Sequence, residues 1–256
     1  MSLAAGLSVT PLSGVAEILP GTALASIVAT GLRGLSPPLQ RQDVVVIAQK
    51  AVSKAEGRFA QLEAIVPSAR AVELAATTRK DARLVEVILR ESTEVLRAVP
   101  NVLITRHRNG YVCAQAGVDR SNVPQQHGER VLLLPEDPDA SAARIRTELQ
   151  QLLGVAPGVI ISDSFGRPWR IGTVNVALGA AGVPTLWDRR GELDREGRML
   201  ESTEVAWADA VAGAAGLMMG EAAEGTPFVL VRGLSWNLPD QTARALLRPL
   251  SQDLFR

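Results

Sequence analysis

The chain has 256 residues, enough for one large domain or two smaller ones with a substantial hydrophobic core. Lysine plus arginine equals aspartate plus glutamate at 27 each, so a global attraction to nucleic acid or acidic membranes has no basis and only local basic patches stay open. Aromatic residues, at 4%, are too sparse to favour base stacking along single strands, and the one cysteine, Cys113, forbids an internal disulfide framework and suits a reducing compartment. The amino terminus has no basic region ahead of its apolar residues, unlike a secretory signal. No stretch approaches about 20 uninterrupted apolar residues. The expectation is a soluble, cytoplasmic protein.

In chain order, Val44 to Ala48 is a compact β-branched run and reads as a buried strand. Gln49 to Arg58 follows it directly and concentrates Lys50, Lys54 and Arg58 at a strand-to-loop junction. Such ammonium groups can neutralise phosphate oxygens as point charges, or simply form a solvated charged turn. Helices are expected over 68–78 and 84–98. Val102 to Thr105 and Tyr111 to Ala114 flank Arg108-Asn109-Gly110, a hairpin signal because Asn-Gly tolerates positive φ. Cys113, inside the second of these strands, reads as a packed side chain rather than a nucleophile.

A further helix is expected over 141–153, capped by Ser141 and closed by Gly154 in a left-handed conformation. Gly158 to Ser162 and Phe228 to Val231 read as buried strands. Ser202 to Met219 is apolar on most helical faces, which places it in a core or at a subunit interface. Pro37-Pro38 and Pro135 to Pro138 are breaks too short to be linkers. Strands and helices mix without a regular βαβα alternation, so the fold class expected is α+β: one unit over 1–256, with two lobes built from non-contiguous segments.

No G-x-x-x-x-G-K-[ST] sequence is present and no G-x-G-x-x-G follows an expected strand, so a bound nucleotide needs another device. Asp163 follows the apolar run Val159-Ile160-Ile161-Ser162 and precedes Ser164-Phe165-Gly166-Arg167-Pro168-Trp169-Arg170. A strand that delivers Asp-Ser at its end and then turns at Gly166 into paired arginines suits an anion or metal site. A buried carboxylate must pair with something, either a cation or Arg167 or Arg170. Asp119, in Ala116-Gly117-Val118-Asp119-Arg120-Ser121-Asn122, and Glu221, after Met218-Met219-Gly220, are either ordinary turn residues or further members of an oxygen-donor set for a hard divalent cation. His107 and His127 lie in polar, turn-like surroundings without metal-ligand spacing and read as surface residues.

Four segments together resemble one family, the coenzyme F420-0:L-glutamate ligases (γ-glutamyl ligases). They are Val52-Ser53-Lys54-Ala55-Glu56-Gly57-Arg58, the Ala116 to Asn122 block, Ile161 to Arg170, and Met219-Gly220-Glu221 followed by Val229-Leu230-Val231-Arg232-Gly233. They occur in the family's order, and the Ser-Phe-Gly-Arg-Pro-Trp-Arg form looks like a bacterial branch. The resemblance implies the compact two-lobed fold of that ligase type in an intertwined homodimer. Because the chain ends at Arg256, the expectation is a single domain without the flavin-binding, nitroreductase-like domain that some relatives carry.

By the same resemblance, Asp119, Asp163, Ser164 and Glu221 would hold two divalent cations, manganese or magnesium, with a monovalent cation such as potassium alongside. Val15, Ala16, Glu17, Ile18, Gln49, Lys50, Lys54, Asn122 and the loop of Met219, Gly220, Glu221, Ala222, Ala223, Glu224, Gly225 and Thr226 would surround GTP. Gln49-Lys50 stands where some members carry small hydroxyl residues. Lys54, Arg167 and Arg170 would assist catalysis. The activity implied is ligation of L-glutamate to a carboxylate of the deazaflavin coenzyme precursor through an acyl phosphate. A metal-dependent phosphohydrolase or phosphotransferase for another nucleotide is the competing enzyme class, and a nucleotide-binding regulatory module is the non-enzymatic one.

Overall fold

The β-branched run Val44 to Ile47 has no exposed surface, and the fold is built outward from it. The computed structural model describes residues 6–124 and 128–253. The chain opens with β1 (Ser8–Pro11), α1 (Leu24–Leu32), β2 (Val44–Ala48) and α2 (Gln49–Ala55). It continues through β3 (Phe59–Gln61), α3 (Ala69–Thr78), α4 (Ala82–Arg90), β4 (Ser92–Val99), β5 (Val102–His107), β6 (Val112–Ala114) and β7 (Arg130–Leu132). The last third supplies α5 (Pro138–Leu153), β8 (Gly158–Arg167), β9 (Arg170–Ala181), β10 (Leu186–Asp188), β11 (Glu204–Ala206), α6 (Trp207–Met219) and β12 (Phe228–Arg232). The mixture of helices and mixed sheets is α+β.

Five strands form the main sheet in the order β1-β12-β2-β8-β9. β2 and β8 are parallel, and the other three pairings are antiparallel. Alternation along a strand sends successive side chains to opposite faces. Val45 and Ile47, with Val159, Ile161, Phe228 and Leu230, therefore pack on α1 and α5. Val44 and Val46, with Ile160, Val229 and Val231, pack on α6. A strand covered on both faces reads as a continuous apolar run, which is why VVVIA shows no polar alternation. A second core joins Leu62, Leu74, Val85, Ile88, Leu103 and Val131 under α3, α4 and the β4-β5-β6 sheet. Among the described residues no helix is long and apolar enough to cross a membrane.

Several local expectations hold. The helix over 68–78 is α3, with the Ser68 hydroxyl accepting the Ala71 N–H as its cap. Arg108-Asn109-Gly110 connects β5 to β6, and it is Gly110 that takes the positive φ, +99°. Gly154 ends α5 in the left-handed region. Cys113 is buried, and burial raises its thiol pKa to about 12, so it is inert.

Others are corrected. The helix expected over 84–98 stops at Arg90, and Ser92 to Val99 is a strand paired with β5. Glu94, Leu96 and Arg97 favour helix, but cross-strand pairing overrides that weak preference. α5 begins at Pro138 under an Asp137 cap, while the Ser141 hydroxyl instead donates to Glu56. α6 begins at Trp207, since 204–206 pairs with β10 as β11. It buries only one side, leaving Leu217 85% exposed. His107 is fully buried, stacked on Tyr111, with Nδ1 accepting the Asn109 N–H and Nε2 3.6 Å from Glu91 Oε2. His127 lies outside the described residues.

One ion pair ties the end of β12 to the Pro37-Pro38 break. Asp43, whose side chain is 2% exposed, receives Arg232 Nε at 2.9 Å and Nη2 at 2.7 Å. Arg232 also donates to the Pro37 and Pro38 carbonyls at 2.8 and 3.0 Å. Removing the guanidinium strands a buried carboxylate, so Arg232→Met is expected to cost about 3–5 kcal/mol in urea unfolding. A loss under about 1 kcal/mol would show that the pair is dispensable.

Candidate active site

The site follows from the register of β2 against β8. Ala48 pairs with Ser162, so the residues that leave the two strands together are Gln49-Lys50 on one and Asp163-Ser164 on the other. The segment 49–55, expected as a strand-to-loop junction, is the short helix α2, which turns Lys50 and Lys54 toward the same opening. β8 does not end at Asp163 but runs to Arg167, with Gly166 inside the strand and Pro168-Trp169 making the turn. A register shift between Ile161 and Ser162 against β9 re-aims the strand just before Asp163, as bulges beside sites commonly do.

These residues line a cleft of about 430 Å³. Val15, Ala16, Glu17 and Ile18 form one wall between β1 and α1, and Gln49, Lys50 and Lys54 another. Asn122 and the loop Met219 to Thr226 close the third side, while Asp163 and Ser164 form the floor. The Asn122 amide donates to the Ala222 carbonyl at 3.1 Å, and the Thr226 hydroxyl donates to the Met218 and Met219 carbonyls at 2.8 and 3.0 Å. All the residues expected to surround a nucleotide are thus gathered around one opening.

Asp119 stands behind Lys50. Lys50 Nζ lies 2.7 Å from Asp119 Oδ2, and the Ser121 N–H and hydroxyl donate to the two oxygens of the same carboxylate at 2.8 and 2.7 Å. Burial alone would raise the Asp119 pKa, but the Lys50 and Ser121 bonds outweigh it and hold it below the ordinary range. Gly117 makes the turn possible: its φ is +69°, and a Cβ there would meet Leu134 at 2.6 Å.

Asp163 behaves oppositely. It keeps some surface on the cleft while protein surrounds the rest of it, and burial pushes its pKa up to about 6. The Ser164 backbone, the Lys50 charge and the Gln49 amide pull it down, and the Asp119 charge pushes it up. Neither expected arginine pairs with it. Arg167 and Arg170 face each other at the tip of the β8–β9 hairpin, about 13 Å along the strand from Asp163, and do not line the cleft. Lys54 has its pKa lowered by burial, with Glu17 opposing and Lys50 and Arg130 adding to the shift.

Sequence reading passed over Asn175 and Ser121. Asn175 lines the cleft from β9, opposite Ser164 in register. An asparagine inside the apolar run Val174 to Ala181 was the available signal, since strands disfavour it. Ser121 lies within the Ala116 to Asn122 block, where nothing local marks it as a partner of Asp119 and Lys50.

Among the described residues no three His, Cys, Asp or Glu side chains form a group able to hold a metal. The donor chemistry nevertheless fits divalent cations. The lining carries two lysines, Lys50 and Lys54, against four acids, Glu17, Asp163, Glu221 and Glu224, a formal charge of 2 − 4 = −2. Asp163, Ser164 and Glu221 line the cleft while Asp119 lies outside its lining, and hard oxygen donors of this kind suit magnesium or manganese.

A family model for F420-0:gamma-glutamyl ligase matches residues 14–233, most of the chain. The chain belongs to that family. It is 48% identical over 254 residues to the coenzyme F420:L-glutamate ligase of Methanopyrus kandleri, covering 98% of both chains. The proteins of the same name from Methanocaldococcus jannaschii and Methanothermobacter thermautotrophicus are 45% and 44% identical, over 86% of both chains and over 98% of this chain and 99% of the relative. These relatives are archaeal, so the bacterial-branch form suggested by the Ser164 to Arg170 motif finds no support in them.

The raised pKa of Asp163 has a stability consequence. Folding holds its proton more tightly than the unfolded chain does, so the stability it contributes is full below the ordinary value of 3.8 and is lost as pH rises through about 6. Asp163→Asn should therefore stabilise the metal-free protein by about 1–3 kcal/mol at about pH 8 and change little at about pH 4. Urea unfolding at the two pH values measures this, and an equal effect at both would refute the assignment.

Proposed function

We propose that the chain is a GTP- and divalent-metal-dependent ligase that joins L-glutamate to the carboxylate of the deazaflavin coenzyme precursor. The observation that carries this reading is one cleft in which two lysines, four acids and a glycine-containing loop converge between β2, β8 and α6. The family assignment supports the acceptor and the amino acid. The nucleotide and the metals are supported by the lining and by its negative formal charge.

A carboxylate is a poor electrophile, and forming an amide from it requires activation. The γ-phosphoryl group of GTP passes to a carboxylate oxygen of the acceptor, giving an acyl phosphate and GDP. The α-amine of glutamate then attacks the acyl carbon, phosphate leaves, and the amine loses its proton. Lys54, at the mouth of the cleft, sets a positive charge against the phosphate oxygens. Asn122 and the 219–226 loop hold the nucleoside side in place. Asp163, Ser164, Asp119 and Glu221 would hold the divalent cations, which supply charge neutralisation as the phosphoryl group transfers. Arg167 and Arg170, outside the cleft of a single chain, would meet the acidic tail of the acceptor.

Trp169 and Ile171 at the hairpin tip are 88% and 103% exposed, and Leu217 and Met218 on α6 are also open. Apolar surface of this extent supports a homodimer, and the reaction's place would be the cytoplasm. Trp169→Asp combined with Ile171→Asp is expected to shift sedimentation from dimer to monomer. A wild-type chain that sediments as a monomer would sink the dimer.

The direct test is mass spectrometry of the protein incubated with deazaflavin precursor, GTP, manganese and L-glutamate. A product series growing by one glutamyl residue per step and absent without GTP is expected. Lys54→Met should slow it by about 10²-fold or more with the fold intact. Phosphate release that ignores glutamate would favour the phosphohydrolase instead, and GTP bound without turnover would favour the regulatory module.

A further inference from the structure

Lys50 is more than a lining residue. Its ammonium is 2.7 Å from Asp119 Oδ2 and 2.5 Å from the Ser121 hydroxyl, which itself donates to Asp119. With the Ser121 N–H on Oδ1, both oxygens of Asp119 are engaged before any ligand arrives. The same ammonium also acts on Asp163, whose carboxylate has no ion pair among the described residues. Two carboxylates expected to share divalent cations are therefore unequal: one is already neutralised by a built-in cation and the other is not.

We propose that the Lys50 ammonium takes the place of one of the two divalent ions, so that the nucleotide-free chain holds a single exchangeable ion, at Asp163. The inference rests on the metal-binding reading of this cleft and deepens it. The Lys50 ammonium and the Ser121 hydroxyl together occupy Asp119 Oδ2, each at 2.7 Å, so a metal on that oxygen has to displace one of them and compete with the ammonium charge. Lys50 is carried on α2, whose start is fixed by the pairing of Ala48 with Ser162, so it is delivered to this point by the main sheet itself. A neutral, short side chain at position 50 would vacate the position and free Asp119 Oδ2 for a cation.

The test counts manganese on the full chain without nucleotide, using the electron paramagnetic resonance signal of free manganese as the readout. Wild type is expected to take up one ion per chain, Lys50→Ser two, and Lys50→Arg, which keeps the charge, one. Lys50→Ser combined with Asp119→Asn should return the count to one, which places the extra ion at Asp119. Circular dichroism confirms that each variant is folded. Two ions on wild type, or one on folded Lys50→Ser, would overturn the role of Lys50 while leaving the metal site standing. No uptake by any of the four proteins would instead overturn the metal reading, and this inference with it.

Discussion

The parallel pairing of β2 with β8 is the constraint on which the cleft depends. It sets Ala48 against Ser162, and every chemical group at the floor of the cleft is reached by stepping one or two residues beyond that pair. Because side chains alternate along a strand, a slip of one residue would turn Asp163 to the other face and Ile160 and Ile161 out of their separate cores. The hydrophobic alternation that holds the sheet between α1 and α5 on one face and α6 on the other therefore also aims the carboxylate. Stability and chemistry share one register.

From that register the electrostatics follow. Asp119 and Asp163 both feel Lys50, and Asp163 also feels the Asp119 charge, yet they end in opposite states. Asp119 has a hydrogen-bonded ammonium and two bonds from Ser121, and its proton is held loosely. Asp163 has the greater burial and weaker compensation, and its proton is held tightly. Two like residues are thus differentiated by environment alone, which follows from the general rule that burial favours the neutral acid and a nearby cation favours the charged one.

The legible parts of the sequence were those whose signal is local. Val44 to Ala48, Gly158 to Ser162 and Phe228 to Val231 announced themselves by β-branched runs, the 108–110 turn by Asn-Gly, and α5 by its glycine stop. The lining of the cleft was legible through ordered motifs, since the spacing of Lys54, Asn122, Asp163 and Glu221 carries no local reason for them to meet. What failed depended on distant partners. Nothing within 84–98 states that 92–99 will find β5, and nothing around His107 states that Glu91 and Tyr111 will enclose it. Arg167 and Arg170 were misplaced relative to Asp163 because a glycine was taken for a turn, when the strand's pairing with β9 carries straight through Gly166.

The balance of charge bears on how a chain of zero net charge would handle the polyanionic substrate proposed for it. Basic residues are not massed at the cleft; many are committed elsewhere, as Arg58 and Arg108 are to Glu91, Arg232 to Asp43, and Arg83 to Asp81 and Glu129. The two lysines that do face the opening are themselves offset, Lys50 by Asp119 and Lys54 by Glu17. The protein alone therefore presents a slightly negative lining, and its own side chains would not neutralise the strongly negative nucleotide proposed for it. On the proposed reading, the carboxylates of the lining would shift that task to small cations, whose charge density exceeds that of any side chain. On the proposed function, an acidic cleft would admit a nucleotide only together with its ions.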